Sequence, residues 1–244
     1  MTCHCGKPAI SERNLCAEHF TDWFEQSVHE TIAEYNMIAQ GDHVLVAASG
    51  GKDSLTLLKI LSKKYKTTAV CIDEGIAGYR EHSIADLEKF CTAHNIPLVI
   101  RSYLQEKGTR LDSMDLKHPC SQCGVWRREL LADSAKEYDV IATGHNLDDE
   151  AQTIMLNIMK HHAMKPRPVL PGIPGFARKI KPLYFIAEAD VRRYAFIHKL
   201  VSSFVECPNA AQAHRRAVQH FLENRERDHP GAKEKLVRQY LAAL

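Results

Sequence analysis

The sequence predicts an α/β fold: a parallel sheet with helices on both faces, a small N-terminal zinc knob and a helical C-terminal region. Three observations predict it. Short apolar runs at 44–48, 69–72, 97–100 and 140–143 alternate with stretches of helical spacing, the pattern of a sheet covered on both sides. Cysteines crowd residues 1–20, a segment too short to own a hydrophobic core. Past residue 186 the chain reads as helix at 187–199, 210–227 and 230–243, interrupted by 201–205, by Cys207-Pro208 and by Pro230-Gly231.

A chain of 244 residues can bury one full α/β core plus an appendage. Hydrophobic residues at 45% and charged residues at 25% exclude a disordered chain. A formal charge of +2 gives no global case for nucleic acid, so any basic footprint must be local. No run approaches the length of a membrane span, and the first thirty residues carry cysteines, histidine and acids where a signal peptide needs apolar residues. The protein is therefore expected in the cytoplasm, with no membrane partner. Eight cysteines in that reducing compartment read as metal ligands or catalytic thiols before disulfides. Cys71, in an apolar run, and Cys91, on a helical face, are expected to be buried small hydrophobes.

Taken in order, residues 1–20 offer Cys3, Cys5, Cys16 and His19, three thiols and one imidazole, a tetrahedral zinc set. The bland alternative is a frayed tail with spare thiols. The domain from 21 to 185 begins with an amphipathic helix whose Phe20, Trp23, Phe24, Val28, Ile32 and Tyr35 form a core-facing stripe. Strand 44–48 then runs into Ser49-Gly50-Gly51-Lys52-Asp53-Ser54, and a leucine-spaced helix follows to Lys64. Further helices are expected at about 80–94, 123–138 and 148–161. Residues 164–183, rich in proline, glycine and basic side chains, predict a stiff surface loop without elements of its own.

Glycines at a strand-to-helix junction let backbone amides approach a phosphate, the helix N-terminus adds partial positive charge and Lys52 a full one. This is a polyphosphate cradle, and it is not a Walker A loop, which would need glycine where Val46 stands. A glycine turn with an incidental lysine is the alternative. Cys120 and Cys123, with Cys207 far downstream, give three thiols. A structural zinc wants four ligands, which only His118 could complete. Three thiolates on a 4Fe-4S cluster would leave one iron free for sulfur or substrate.

Ser49–Ser54 resembles the PP-loop of the ATP pyrophosphatase superfamily, whose members split ATP between the α and β phosphates to adenylate a carbonyl-like oxygen. Ser49–Ser54, Cys120/Cys123, Thr143–Glu150 and Glu206-Cys207-Pro208-Asn209-Ala210 together resemble the TtcA/TtuA family of tRNA 2-thiolation enzymes. Leu15–Phe24 favours the TtuA branch. The resemblance spans nearly the whole chain.

It implies a PP-loop ATP pyrophosphatase-type catalytic domain over 21–185 and a tRNA-binding region over 186–244. The reaction it implies is ATP-dependent adenylation of a pyrimidine C2 oxygen, giving AMP and pyrophosphate, then sulfur transfer through a 4Fe-4S cluster on Cys120, Cys123 and Cys207. ATP with Mg2+ would lie on Ala47, Ala48, Ser49, Gly50, Gly51, Lys52, Asp53 and Ser54, with adenine near Ile72 and Asp73 and with Gly144 closing on the nucleotide. Asp53, Asp149 and Arg127 would be the catalytic residues. Asp148 and Glu150 read equally well as first-turn acids of a helix. Partners would be tRNA and a sulfur donor (sulfide, persulfide or a thiocarboxylate carrier protein), in a homodimer.

Three departures stand out. Arg127 replaces the TtuA lysine four residues after the second cluster cysteine; arginine clamps anions but does not give up a proton. Cys3 and Cys5 enclose one residue where the family has two, and His4 offers a substitute imidazole. No cysteine follows Cys207, where the family carries a four-cysteine zinc module, whose contribution is expected to be dispensable or replaced.

His214, Arg215, Arg216, Arg225, Arg227, Lys233, Lys235 and Arg238, with the basic proline loop, could position tRNA phosphates or simply form a solvated face. Two other functions remain open to the sequence. An adenylase acting on another acceptor leaves the three cysteines idle, and a non-catalytic Fe-S/zinc RNA-binding protein leaves the phosphate loop idle.

Overall fold

The structure, a computed structural model, describes residues 1–116, 119–161, 166–201, 207–208 and 213–244, with 213–215 by backbone alone. The expectations for His118, Lys165, residues 202–206 and 209–212, and the side chains of His214 and Arg215 lie outside the described residues.

The elements follow one another as α1 (Ala17–Glu34), β1 (His43–Ala47), α2 (Lys52–Ser62), β2 (Lys66–Asp73), α3 (Arg80–Ala93), β3 (Leu98–Ser102) and α4 (Tyr103–Lys107). Then come α5 (Pro119–Ser134), β4 (Val140–Thr143), α6 (Leu147–Met159), β5 (Val169–Leu170), β6 (Arg178–Ile180), α7 (Glu188–Ile197), α8 (Ala213–Asp228) and α9 (Ala232–Ala242). The sheet order is β3-β2-β1-β4-β6-β5, parallel throughout except for β5 against β6. β1 and β4 are neighbours although distant in sequence, so the winding direction reverses between them. In such sheets that reversal opens a crevice beyond the strands' carboxyl ends, and the segments leaving these two strands carry Ser49–Ser54 and Gly144.

Burial explains why β1, β2 and β4 read as apolar runs rather than alternations. Val44 and Val46 of β1 face one layer, with Leu57, Leu58, Leu87, Phe90, Val191 and Tyr194 from α2, α3 and α7. Leu45 and Ile141 face the other, with Tyr103, Cys123 and Leu130. The stripe of α1 is a core face as its spacing predicts: Phe20, Phe24, Val28 and Ile32 are buried, and Phe24 stacks on Tyr194 at 4.5 Å. Cys71 and Cys91 are buried in the same layer, where burial pushes both thiols up to about 11. A third cluster seats α8 and α9 on α6 through Val218, Leu222 and Val237 against Leu147, Ala151 and Ile154.

One expectation needs correction. Residues 166–183 are not free of elements: β5 and β6 pair antiparallel around an Ile173–Phe176 turn with Gly175 at φ 84°, and β6 extends the sheet from β4. Strands of two and three residues, set among prolines, are too short to show a period.

Candidate active site and metal centres

The Ser49–Ser54 loop is built around glycine. Gly50 adopts φ 81°, and a Cβ there would meet the Ser83 carbonyl oxygen at 1.8 Å, so no other residue fits. Gly51 is the N-cap of α2 and has no side chain to satisfy the first-turn amides, which leaves them for an anion. The loop is held from within: Ser54 Oγ donates to the Gly51 carbonyl at 2.9 Å, and the Ser49 amide donates to Ser54 Oγ at 3.2 Å. Gly144 sits against the same turn; a Cβ there would come within 3.0 Å of the Asp53 carbonyl carbon. Asn146 Nδ2 donates to Asp53 Oδ1 at 3.0 Å, tying the β4–α6 segment to the loop.

Lys52 Nζ lies 2.9 Å from Asp53 Oδ2 and 3.0 Å from Glu188 Oε1, at the start of α7. Burial works against its charge, but the two carboxylates outweigh burial and raise its pKa, so the ammonium persists. Ala47 ends β1 and buried Ala48 follows it, while Ile72 and Asp73 end β2, just past Val70, the partner of Ala47. Asp73 Oδ1 accepts from the Gly75 amide at 2.9 Å and lines a cleft of about 490 Å³ with Arg80, Ser102 and Arg110.

The segment after β2 carries two residues that sequence reasoning missed, Glu74 and Arg80. Arg80, 3% exposed, donates to the Ser49 carbonyl at 2.9 Å and the Ile72 carbonyl at 2.6 Å, and Glu74 contacts it at 2.8 Å. Glu74 also lies 3.4 Å from Arg127, whose Nη2 donates to Cys123 Sγ at 3.2 Å. Nothing in the periodicity marks these residues. The available clue was their position just past the carboxyl end of a parallel strand. Glu188, also missed, reads in sequence as an ordinary first-turn acid.

Cys123 is buried and Cys120 and Cys207 are half-buried, Cys123 and Cys207 belonging to one apolar cluster. Tyr103 adds its hydroxyl, which donates to the Cys123 carbonyl at 2.8 Å and lies 3.7 Å from the sulfur. Three thiols, two of them in one apolar cluster and one already receiving hydrogen bonds, form a donor set that fits an iron–sulfur cluster. Among the described residues these three sulfurs do not converge as a closed metal-binding group; the group that does is Cys3, Cys5, Cys16 and His19, with ligand atoms within 4.8 Å of one another.

There Cys5 and Cys16 sulfurs are 3.7 Å apart, and His19 Nδ1 is 3.2 Å from Cys3 and 3.5 Å from Cys16. A tetrahedron with Zn–S bonds of about 2.3 Å has edges of roughly 3.8 Å, so the donor set fits zinc. The short Cys3–Cys5 spacing is accommodated by a tight turn in which Gly6, at φ 83°, donates to the Cys3 carbonyl. The Cys5 amide facing the Cys3 thiol brings its pKa down to about 5, which suits a thiolate ligand. His4 stacks on His19 at 4.2 Å and lies 3.6 Å from Cys3 Sγ. Cys16→Ser or His19→Ala is expected to lower bound zinc and make residues 1–20 protease-sensitive, with ATP binding retained; unchanged zinc content and digestion would refute a metal site here.

The three acids opening α6 differ in their partners. Asp148 accepts from the Glu188 amide at 2.8 Å and pairs with Lys233 of α9. Glu150 is buried against Lys181 at 2.7 Å. Asp149 completes a capping box with Asn146, accepting from its amide at 3.3 Å, beside the Asp53 contact. Several basic residues expected on a tRNA face are engaged internally: Lys181 with Glu150, Lys233 with Asp148, Arg178 with Asp42 at 3.3 Å, and Arg238 over the Phe185 ring at 4.4 Å.

Residues 20–224 match the PP-loop domain family. The chain is 37% identical over 234 residues to tRNA-5-methyluridine(54) 2-sulfurtransferase of Pyrococcus horikoshii, covering 93% of this chain and 76% of that protein. It is 36% identical over 251 residues to cytoplasmic tRNA 2-thiolation protein 1 of Drosophila yakuba, covering 93% and 72%. Among solved structures, the U34-tRNA thiolase NcsA of Methanococcus maripaludis with its [4Fe-4S] cluster superposes with a TM-score of 0.88 at 32% identity, over 100% of this chain and 87% of that one.

Proposed function

Since this chain belongs to the PP-loop family of tRNA 2-thiolation enzymes, we propose that it is an ATP-dependent tRNA sulfurtransferase exchanging the C2 oxygen of a pyrimidine for sulfur. One observation carries the reading to this chain's own residues. Glu74 touches both the arginine that holds the Ser49–Ser54 loop and the arginine on Cys123, so the nucleotide and cysteine sites adjoin.

In this reading the first-turn amides of α2 and Lys52 take the ATP phosphates, with adenine toward Ala47, Ile72 and Asp73. The pyrimidine C2 oxygen attacks the α-phosphorus and pyrophosphate leaves; sulfur then attacks C2 and AMP departs with the oxygen. Lys52 opposes the charge that develops on the leaving phosphates, and Arg127 can supply charge but not a proton. Asp53 and Asp149, joined through Asn146, are the carboxylates placed to hold Mg2+ or the reacting base. A 4Fe-4S cluster on Cys120, Cys123 and Cys207 would supply an open iron for the incoming sulfur. Zinc on Cys3, Cys5, Cys16 and His19 would hold the knob of residues 1–20, ahead of a catalytic domain over 21–185 and a tRNA-binding region over 186–244.

Among basic residues not paired above, Arg167, Arg216, Arg225 and Lys235 are the candidates for tRNA phosphates. The donor is sulfide, a persulfide or a thiocarboxylate carrier, and the unit a homodimer, both carried over from the resemblance. The cytoplasm is the compartment in the Drosophila relative's name, and among the described residues no helix is long and apolar enough to cross a membrane. Mass spectrometry of tRNA nucleosides from a deletion strain tests the function: one 2-thiopyrimidine should disappear and return with the restored gene. An unchanged nucleoside profile would refute the reading and leave an adenylase for another acceptor.

A further inference from the structure

Glu74 is 5% exposed and has its two carboxylate oxygens on two arginines from different elements. Oε2 lies 2.8 Å from Arg80 Nε, an ion pair without hydrogen-bond alignment, and Oε1 lies 3.4 Å from Arg127 Nε. Arg80 spends its remaining nitrogens on the Ser49 carbonyl of the nucleotide loop, on the Ile72 carbonyl and Cys71 Sγ of β2, the latter at 3.0 Å, and on Ser83 Oγ of its own helix at 3.0 Å. Arg127 spends Nη2 on Cys123 Sγ at 3.2 Å. An unbroken chain of contacts therefore runs from the backbone of the phosphate loop to a cysteine of the sulfur site, with one carboxylate at its middle.

Neutralising a buried arginine needs a single carboxylate contact, and a buried ion pair adds little net stability over apolar packing. A second arginine on the same carboxylate is not explained by that need. It is explained by orientation. The guanidinium of Arg127 reaches the carboxylate with one nitrogen and the sulfur with another, a fork that the point charge of a lysine does not provide. Thus the residue that departs from the resembled family at this position is the one that completes the link.

We propose that Glu74 is a positioning residue that couples the two sites: it sets Arg80 under the nucleotide loop and Arg127 on the Cys123 sulfur, so a change at either is felt at the other. The proposal rests on the nucleotide and cysteine assignments above, but its test involves no tRNA, iron or sulfur donor.

ATP affinity is measured by calorimetry on the zinc-loaded, iron-free full chain for wild type, Glu74→Gln, Arg127→Gln and the double variant, with circular dichroism confirming the fold. Each single change is expected to weaken ATP binding by roughly five- to tenfold, the size of ordinary coupling between contacting groups. The double variant should be no weaker than Glu74→Gln by more than about twofold, because Arg127 acts on the loop only through Glu74.

If Arg127→Gln weakens ATP equally with and without Glu74→Gln, Arg127 meets the nucleotide directly and the proposal fails. It fails too if Arg127→Gln leaves ATP binding unchanged. Should Glu74→Gln not fold, Glu74→Asp takes its place in the same cycle and the same outcomes decide. Wild-type protein that binds no ATP would overturn both the coupling and the proposed function. The non-additive pattern without tRNA thiolation would overturn the function alone.

Discussion

Replacing Cys120, Cys123 or Cys207 with serine is expected to abolish tRNA thiolation and cluster assembly together, with ATP binding within about threefold of wild type for Cys120→Ser and Cys207→Ser and weakened by no more than roughly tenfold for Cys123→Ser, whose sulfur holds Arg127. A hydroxyl is a much poorer ligand than a thiolate for iron in a sulfide cluster, so each change removes one of three attachments. The nucleotide loop depends on the backbone of Gly50 and Gly51 and on Lys52, which pairs with Asp53 and Glu188. Cys123→Ser should also disturb the hydrogen bonds from Arg127 and Tyr103, so it is expected to be the least stable of the three. The competing mechanism is a persulfide relay, in which a thiol carries sulfur covalently and iron is incidental. Anaerobic reconstitution separates them. Protein kept iron-free by a chelator should be inactive and regain activity with iron and sulfide; full activity of iron-free protein with a sulfur donor would refute the cluster and favour the relay.

The second large effect is at Lys52. Lys52→Ala should lower the rate of thiolation by at least about a hundredfold, the scale seen when one preorganised charge or donor is removed from a developing anion. The fold should survive, because Glu188 keeps Arg192 at 3.3 Å and Asp53 keeps Asn146 at 3.0 Å. Cluster content should be unchanged, which distinguishes this variant from the cysteine series. ATP-to-AMP turnover and thiolated nucleoside should fall together in a single-turnover assay; near wild-type rates would refute the nucleotide site.

The features legible in the sequence share one property: the chemistry and the spacing lie within a short stretch of chain. Ser49–Ser54 is readable because a strand, two glycines and a lysine meet within six residues, and backbone conformation there is a local matter. The knob is readable because Cys3, Cys5, Cys16 and His19 occupy a segment with no other means of holding itself together. The four apolar runs announce parallel strands, and each overlaps one; the runs of β1, β2 and β4 are buried because both faces of the sheet are covered there, whereas edge strand β3 leaves Val99 and Ile100 exposed. Strands β5 and β6 escaped because two or three residues carry no period.

The charged residues show where sequence stops. Lys181 and Lys233 look like a basic surface until the fold sets them against Glu150 and Asp148, 31 and 85 residues away in the chain. Glu74, Arg80 and Arg127 look like ordinary loop and helix charges until α3 and α5 bring the arginines to one carboxylate past the end of β2. By itself the sequence determined the fold class, the phosphate loop and the thiols available for metal, since those follow from local backbone geometry and the chemistry of neighbouring side chains. Only the tertiary structure decided which charges face solvent and which are paired inside, because pairing depends on which surfaces are pressed together, and desolvation then makes an unmatched charge too costly to leave.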